Sequence, residues 1–469
     1  MSGNNTPPPE TIESFMIKEK IFIKSLLLCL AGAAASVQSA PVLLGVGELS
    51  GAVDQSGLSD VLENGVDHGD VLGGTGSGLA WAGGNRFLAI PDRGPNATEW
   101  NAELDHTTSY LSRFQEINMT VQRAPRGSAL PLLITPVLSK TTLLFSPIDL
   151  NYGGVTPSKN SASRYFFSGR SDNYVGGDSL HPLDGRLDPE AICLASDRKS
   201  VFISDEYGPK VNQFNRATGK LMRSFKLPVA FSAAKLSPMG SVEISGNLFG
   251  RVANKGMEGL TITPDGTTLV GFEQSPLLQD GGDGGRANRI VTINLSTGQT
   301  HQYVYDNYLD DKGKTYNSSE ILAINNHEFL ILERDGKGQG DGSEAKVKRL
   351  YKIDIDGATD IGALNDGDGI QGEANLLPHA VQKTLFLDIK AALNANGIAD
   401  NAIPAKLEGA AFGADVKLGA TTYHTLWIAN DNDFLPTLAG SNRFYVFGFT
   451  DADLGANGAG APTQLVRQF

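Results

Sequence analysis

The stretch Met257–Pro276, MEGLTITPDGTTLVGFEQSP, reads as one β-hairpin with an acidic residue at each end. Two short apolar runs, Leu260–Ile262 and Leu269–Phe272, flank the turn Pro264-Asp265-Gly266. Asp-Gly supplies the positive φ angles that a tight antiparallel connection needs. Glu258 and Glu273 stand 273 − 258 = 15 positions apart. Across a tight turn this offset returns the chain to the edge it left, so both acids belong to one end of the sheet.

Four other stretches share the plan: Ser77–Pro95, Asp188–Pro209, Ser319–Gly336 and Leu407–Phe434. The spacing from Glu190 to Asp205 is again 15, and from Glu320 to Glu333 it is 13. The last hairpin is longer and carries Asp415–Tyr423 as an insertion. Outer strands follow the inner pairs, as in Val211–Asn215, Arg289–Asn294 and Arg349–Asp354. A recurring unit of four short strands joined by turns is a propeller blade. Tyr110–Ser168 leaves room for one more unit, with Leu130–Leu138 and Leu143–Ser146 as strands. The expectation is an all-β chain forming a single β-propeller of about six blades, each of four antiparallel strands. Leu43–Gly47 or Phe444–Phe449 closes the ring, and little helix is expected, with Leu387–Asn396 the candidate segment.

Composition agrees with this fold. Of 469 residues, 40% are hydrophobic and 19% charged, with 55 glycines for turns, which is globular and not disordered. A formal charge of −13 argues against a nucleic-acid partner and suits carboxylate ligation of hard cations. The two cysteines are Cys29 and Cys193, and Cys193 reads as a buried strand residue.

Residues 1–40 read as an N-terminal extension and signal peptide, with the true start at either Met1 or Met16. A basic segment to Lys24, a short apolar run Leu26–Ala35 and small residues near Ser39 mark an exported chain, periplasmic or secreted. The apolar run is too short for a stable membrane span. The propeller then occupies residues 41–469. The sequence sets no oligomeric state.

Five ordered motifs resemble the phytase-like family (esterase-like activity of phytase). They are Ser77–Leu79 with Asp92–Pro95, Asp188–Glu190 with Ser204–Pro209, Asn254–Gly259 with Gln274–Pro276, Leu332–Asp335, and Lys406–Gly409 with Asn430–Phe434. Ala191 stands where the family usually has Gly, and Lys255 where it usually has Arg. The resemblance implies a propeller and hydrolysis of phosphate or other esters.

Ring closure would gather the repeated acids around one mouth of the central channel. Glu190, Glu258, Glu320 and Glu408 stand at strand starts; Asp92, Asp205, Glu206, Glu273, Glu333, Asp335, Asp431 and Asp433 stand at strand ends. Any one of them is explained by capping a turn, but their repetition at one edge favours a shared cation. Oxygen ligands without a His/Cys set select Ca²⁺, or Mg²⁺, over zinc. The expected metal ligands are Asp92, Glu190, Asp205, Glu258, Glu273, Glu320, Glu333, Glu408, Asp431 and Asp433. Glu190, Asp205, Glu206, Glu258 and Arg93 are the expected catalytic set. Arg93, Lys210, Lys255 and Arg334 are the expected contacts to a small anionic substrate such as a phosphate ester. No nucleophile elbow, zincin motif or P-loop is present, so a metal-activated water is the expected nucleophile. A propeller lactonase or carboxyl esterase, or a binding propeller whose acidic mouth is structural, are the alternatives.

Overall fold

The computed structural model describes residues 40–97, 107–152, 156–171, 181–235 and 245–468. Nearly all of the expected leader therefore lies outside the described residues. The described chain is built on five four-stranded antiparallel sheets. Strand β1 is Val42–Leu49. Blade 1 comprises β2 (Gly78–Trp81), β3 (Arg86–Ile90), β4 (Arg113–Arg123) and β5 (Leu132–Leu143). A two-stranded ribbon follows, β6 (Phe145–Ser146) with β7 (Tyr165–Phe166). Blade 2 comprises β8 (Pro189–Leu194), β9 (Ser200–Asp205), β10 (Lys210–Asn215) and β11 (Leu221–Lys226). Blade 3 comprises β12 (Met257–Ile262), β13 (Thr268–Glu273), β14 (Ala287–Asn294) and β15 (Thr300–Asp306). Blade 4 comprises β16 (Asn317–Ala323), β17 (Glu328–Arg334), β18 (Lys348–Asp354) and β19 (Lys383–Asp388). Blade 5 comprises β20 (Lys406–Leu418), β21 (Thr421–Asp431) and β22 (Asn442–Phe449), and β1 completes it as the outer strand.

The ring closes because β1 pairs antiparallel with β22, Val46 opposite Tyr445 and Leu49 opposite Asn442. Both expected closing segments thus meet in one blade. The inner strands β2, β8, β12, β16 and β20 neighbour one another in a circle. The core falls into five interblade layers. One joins Phe272 and Tyr305 of blade 3 to Ile321 and Phe329 of blade 4; another joins Phe87 of blade 1 to Trp427 and Phe444 of blade 5. Each blade is therefore apolar on both faces, and β8, β9, β12 and β17 are buried along their whole length. The expected helix exists as Ile389–Ala395, with Asp388 accepting from the Ala391 N–H as its N-cap.

Five blades, not about six, are formed among the described residues. The segment read as a further blade supplies β4 and β5, which finish blade 1 as an eleven- and a twelve-residue strand. Among the described residues its remainder forms the β6–β7 ribbon and isolated bridges. The insertion in the last hairpin simply lengthens β20 and β21, which pair out to Leu418 opposite Thr421.

One backbone irregularity positions the acids. In β12, Met257 pairs with Glu273 and Gly259 with Phe272, which leaves Glu258 as a bulge. The same slip leaves out Glu190 with Ala191 in β8 and Glu408 with Gly409 in β20. In β16 the residue left out is Ser319, because Ser318 pairs with Glu333 and Glu320 with Leu332. Glu320 is thus the counterpart of Gly259, one step further down the channel. At that level the inner strands nearly touch. A Cβ on Gly259 would lie 2.7 Å from the Ile321 nitrogen, and one on Gly409 would lie 2.9 Å from the Leu79 nitrogen.

Candidate cation site at the channel mouth

The bulges aim Glu190 and Glu258 at one rim, where they join the residues that follow β9 and precede β8. Asp188, Glu190 and Glu206 each offer an oxygen within 4.8 Å of the others, and all three are buried. Asp188 is the pivot. It accepts from the Arg93 backbone N–H at 3.1 Å and from the Arg93 guanidinium at 3.0 Å. Its own N–H donates to Asp205 at 3.2 Å, and its carbonyl accepts from the Glu206 N–H. Glu206 accepts from the Gly256 N–H at 2.6 Å and lies 3.8 Å from Arg93. Only glycine fits at position 256, since a Cβ there would lie 2.7 Å from the Glu206 Cγ. Asn254, held at a positive φ of 57°, accepts a hydrogen bond from Arg93.

Charge is crowded here. Burial and then Glu258, Asp188, Glu206 and Asp92 all push the Glu190 carboxyl well above the usual range. Burial and Asp188 push Glu206 up to about 8, with Arg251 and Arg93 opposing. Burial, Glu408 and Glu206 raise Glu258, and its buried Oε2 has no hydrogen-bond partner among the described residues. Such an oxygen loses its water without compensation unless it is protonated or meets a cation.

A second triad, Asp92, Asp431 and Asp433, lies further out on the same rim. Asp92 accepts from the Gly94 N–H at 3.0 Å, and Asp431 accepts from the Asp433 N–H at 2.7 Å. Lys406 bonds Asp431 at 3.1 Å and Asp433 at 2.5 Å. Burial pushes Asp431 up to about 7 although Lys406 opposes it.

The other expected residues are distributed around this centre. Glu408 is paired with Arg334, which also donates to Ser319 at 2.8 Å. Asp205 stands behind Asp188 and lies 3.4 Å from Lys210, so those two form a supporting ion pair. Glu273 neighbours Glu206 and is pushed up to about 8 by burial; its Oε2 lacks a partner among the described residues. Glu320 does not join the rim. Its oxygens accept from the backbone N–H groups of Ile321 at 3.0 Å, and of Leu260 and Ala410 at 3.3 Å each. Glu333 turns away between blades 3 and 4, where Tyr305, the Tyr308 N–H and Lys383 donate to it. Lys255 reaches an exposed partner, Asp283, at 3.3 Å.

Asp188, Asn254 and Lys406 were not among the expected site residues, though each sits inside a quoted motif. Asp188 precedes Pro189 and passes for a turn residue; Lys406 passes for a solvated charge at a strand start. Arg251, buried beside Glu206 and Glu273, carried no signal in the sequence.

The model of the phytase-like family, described as esterase-like activity of phytase, matches residues 71–434. An uncharacterized secreted protein of Arthroderma benhamiae is 30% identical over 337 residues, which is 60% of this chain and 62% of that protein. The match thus spans less than two thirds of that relative. Among solved structures, Kuenenia stuttgartiensis hydrazine synthase is similar at 9% identity and a TM-score of 0.29, covering 79% of this chain and 80% of that one. The β-propeller domain of Myceliophteria thermophila Cps50 is similar at 11% identity and a TM-score of 0.26, covering 80% and 83%. With the family model spanning all five acidic hairpins, the chain belongs to the phytase-like family.

Proposed function

We propose that this propeller is an exported hydrolase of phosphate esters that depends on a divalent cation, Ca²⁺ or Mg²⁺, held at the inner triad. The observation that carries the reading is the orphaned, buried Glu258 Oε2 among the carboxylates of Glu190, Glu206 and Glu408. Asp188, Glu190 and Glu206 would hold the ion, because their oxygens are close enough to share one cation and are all of the hard-oxygen type. When bound, such an ion offsets phosphate charge and acidifies a water. Arg93 sets a positive charge beside the triad, and Asp188 and Asn254 fix where its guanidinium points. Glu258 would accept the proton that an attacking water gives up once a bound cation lowers its raised carboxyl. Export is proposed from the leader-like residues 1–40 and the description of the fungal relative as secreted. No described helix is long and apolar enough to cross a membrane.

The test is a substrate screen on the purified protein with and without chelator. Turnover of phosphate monoesters that stops with chelator and returns with Ca²⁺ is the expected result. Turnover of carboxyl esters or lactones alone would replace the phosphate reading with the second ester class. Turnover of neither would make the mouth a binding or structural element.

A further inference from the structure

Both triads meet a basic side chain: Arg93 pairs with Asp188 at the edge of the inner, buried one, and a lysine reaches into the outer, more open one. Lys406 opens β20 directly opposite Asp431 on β21, so the pair is fixed by strand register. Its ammonium lies 3.1 Å from Asp431 Oδ2 and 2.5 Å from Asp433 Oδ1. Asp433 is presented by a rigid turn. Asp433 and Phe434 hold positive φ angles of 50° and 58°, and the Asp433 N–H is tied to Asp431. The Phe434 ring stacks edge-on against Tyr110 at 5.1 Å and covers Gly73, where a Cβ would come within 2.5 Å of it. The Gly74 N–H donates to Asn432 at 2.9 Å and closes the same turn. Burial favours the neutral amine, yet Asp433, Asp431 and Glu408 keep the Lys406 ammonium well above its usual range.

Three carboxylate oxygens within 4.8 Å of one another could supply part of the six to eight oxygens that Ca²⁺ takes, at bonds of about 2.3–2.6 Å. The Lys406 ammonium contacts two of the three residues and already supplies positive charge there. A lysine is a compact point charge with three donors, which suits it to replace a small cation. In the inner group Arg93 pairs with Asp188 and lies 3.8 Å from Glu206, whereas the Glu258 Oε2 has no hydrogen-bond partner among the described residues and feels Arg334 and Lys406 only through space.

We propose that Lys406 is a resident cation: its ammonium takes the second ion's position among Asp92, Asp431 and Asp433, so the mouth binds one divalent ion and not two. The inference rests on the reading of the inner triad as the ion's site. It makes the chemistry one-ion chemistry, with a tethered ammonium in place of a second metal.

The experiment is Ca²⁺ titration calorimetry on the full-length protein, with stoichiometry as the readout. The parent and Lys406→Arg should bind one ion per chain, Lys406→Met two, and Lys406→Met/Asp433→Asn one again. In chelator, Lys406→Met should melt below the parent, because Asp431 loses its partner, and its Ca²⁺-induced shift should be the larger of the two. If Lys406→Met does not fold, Lys406→Gln, which keeps a donor for Asp431, is read in its place. Two ions on the parent, or no gain on removing the ammonium, would overturn the inference. A parent that binds no ion would sink the reading of the inner triad instead. Lys406 is then judged by the same difference: one ion gained in Lys406→Met retains it and none gained rejects it.

Discussion

Glu258 and Glu320 open the same kind of strand in adjacent blades, yet one is left with an orphaned oxygen and the other is saturated. The difference is a single residue of register. Glu258 falls on the bulge of β12 and is raised to the rim, where Glu190, Glu206 and Glu408 surround it. Glu320 falls one position after the bulge of β16, at the level of Gly259, and its carboxyl stitches β12, β16 and β20 together. Ser319 takes the bulge in its place and binds Arg334. Residue type therefore does not decide which acids reach the rim; the ladder does.

The largest effect should come from breaking the deeper of the two. Glu320→Ala strands three backbone N–H groups in the channel wall, and each buried donor without a partner costs about 1–3 kcal/mol. A loss of at least ~3 kcal/mol is expected in denaturant melts, the same with Ca²⁺ as with chelator. A small loss, or one that Ca²⁺ restores, would mean that Glu320 belongs with the rim after all.

Glu258→Gln should act in the opposite direction. At a pH high enough to ionise Glu258 it removes a buried charge that faces like charges, so the metal-free protein should gain stability there and change little where the carboxyl is protonated. The Ca²⁺-dependent rise in melting temperature should shrink at the same time, since mass action stabilises only the form that binds. Glu190→Gln, which removes a proposed ligand, should weaken Ca²⁺ binding at least tenfold by calorimetry. Parent-like affinity in both variants would return the rim to a structural role.

The same contrast predicts a pH profile. Burial pushes Glu206 and Glu273 from an ordinary value of 4.5 up to about 8, Asp431 up to about 7 and Asp205 up to about 6. The folded chain therefore holds protons that the unfolded chain has released. The contribution of these groups to the stability of the metal-free protein is full near pH 4 and is lost as pH rises through these values toward pH 8. Ca²⁺ should flatten the fall. Thermal melts from pH 5 to pH 8 in chelator and in Ca²⁺ measure this; a metal-free protein that gains stability over that range would contradict it.

Much of this was legible before the structure. The hairpins announce themselves through turn chemistry and repeated acids, and the closing strands through their apolar pattern. The blade count was not legible, because β4 and β5 lack the acidic signature and run long, so they look like a separate unit. The position of Glu320 was written in the spacing: 13 residues to Glu333 where blades 2 and 3 have 15. A bulge, however, is a property of two paired strands, and a single strand does not declare it. Asp188 and Lys406 escaped for a related reason, since their importance lies in what other blades and strands bring to them.

The smallest effect should be at Lys255, and it sharpens the boundary of the site. Lys255 follows Asn254 and precedes Gly256, both of which contact rim residues, so its place in the sequence suggests a substrate contact. Its ammonium instead pairs with Asp283, whose side chain is 58% exposed. A solvent-exposed pair contributes about 0–1 kcal/mol because water already screens both charges. The positive φ of Asn254 and the close approach of Gly256 to Glu206 belong to the backbone and survive truncation of the neighbouring side chain. Lys255→Ala should therefore leave Ca²⁺ affinity unchanged and move KM for a phosphate ester less than about twofold, with stability within ~0.5 kcal/mol of the parent. Arg93→Ala, measured beside it, should depress kcat/KM at least a hundredfold, because it removes the cation that Asp188 holds against the inner triad. A rise in KM at Lys255 comparable to that at Arg93 would extend the substrate site outward past Asp283.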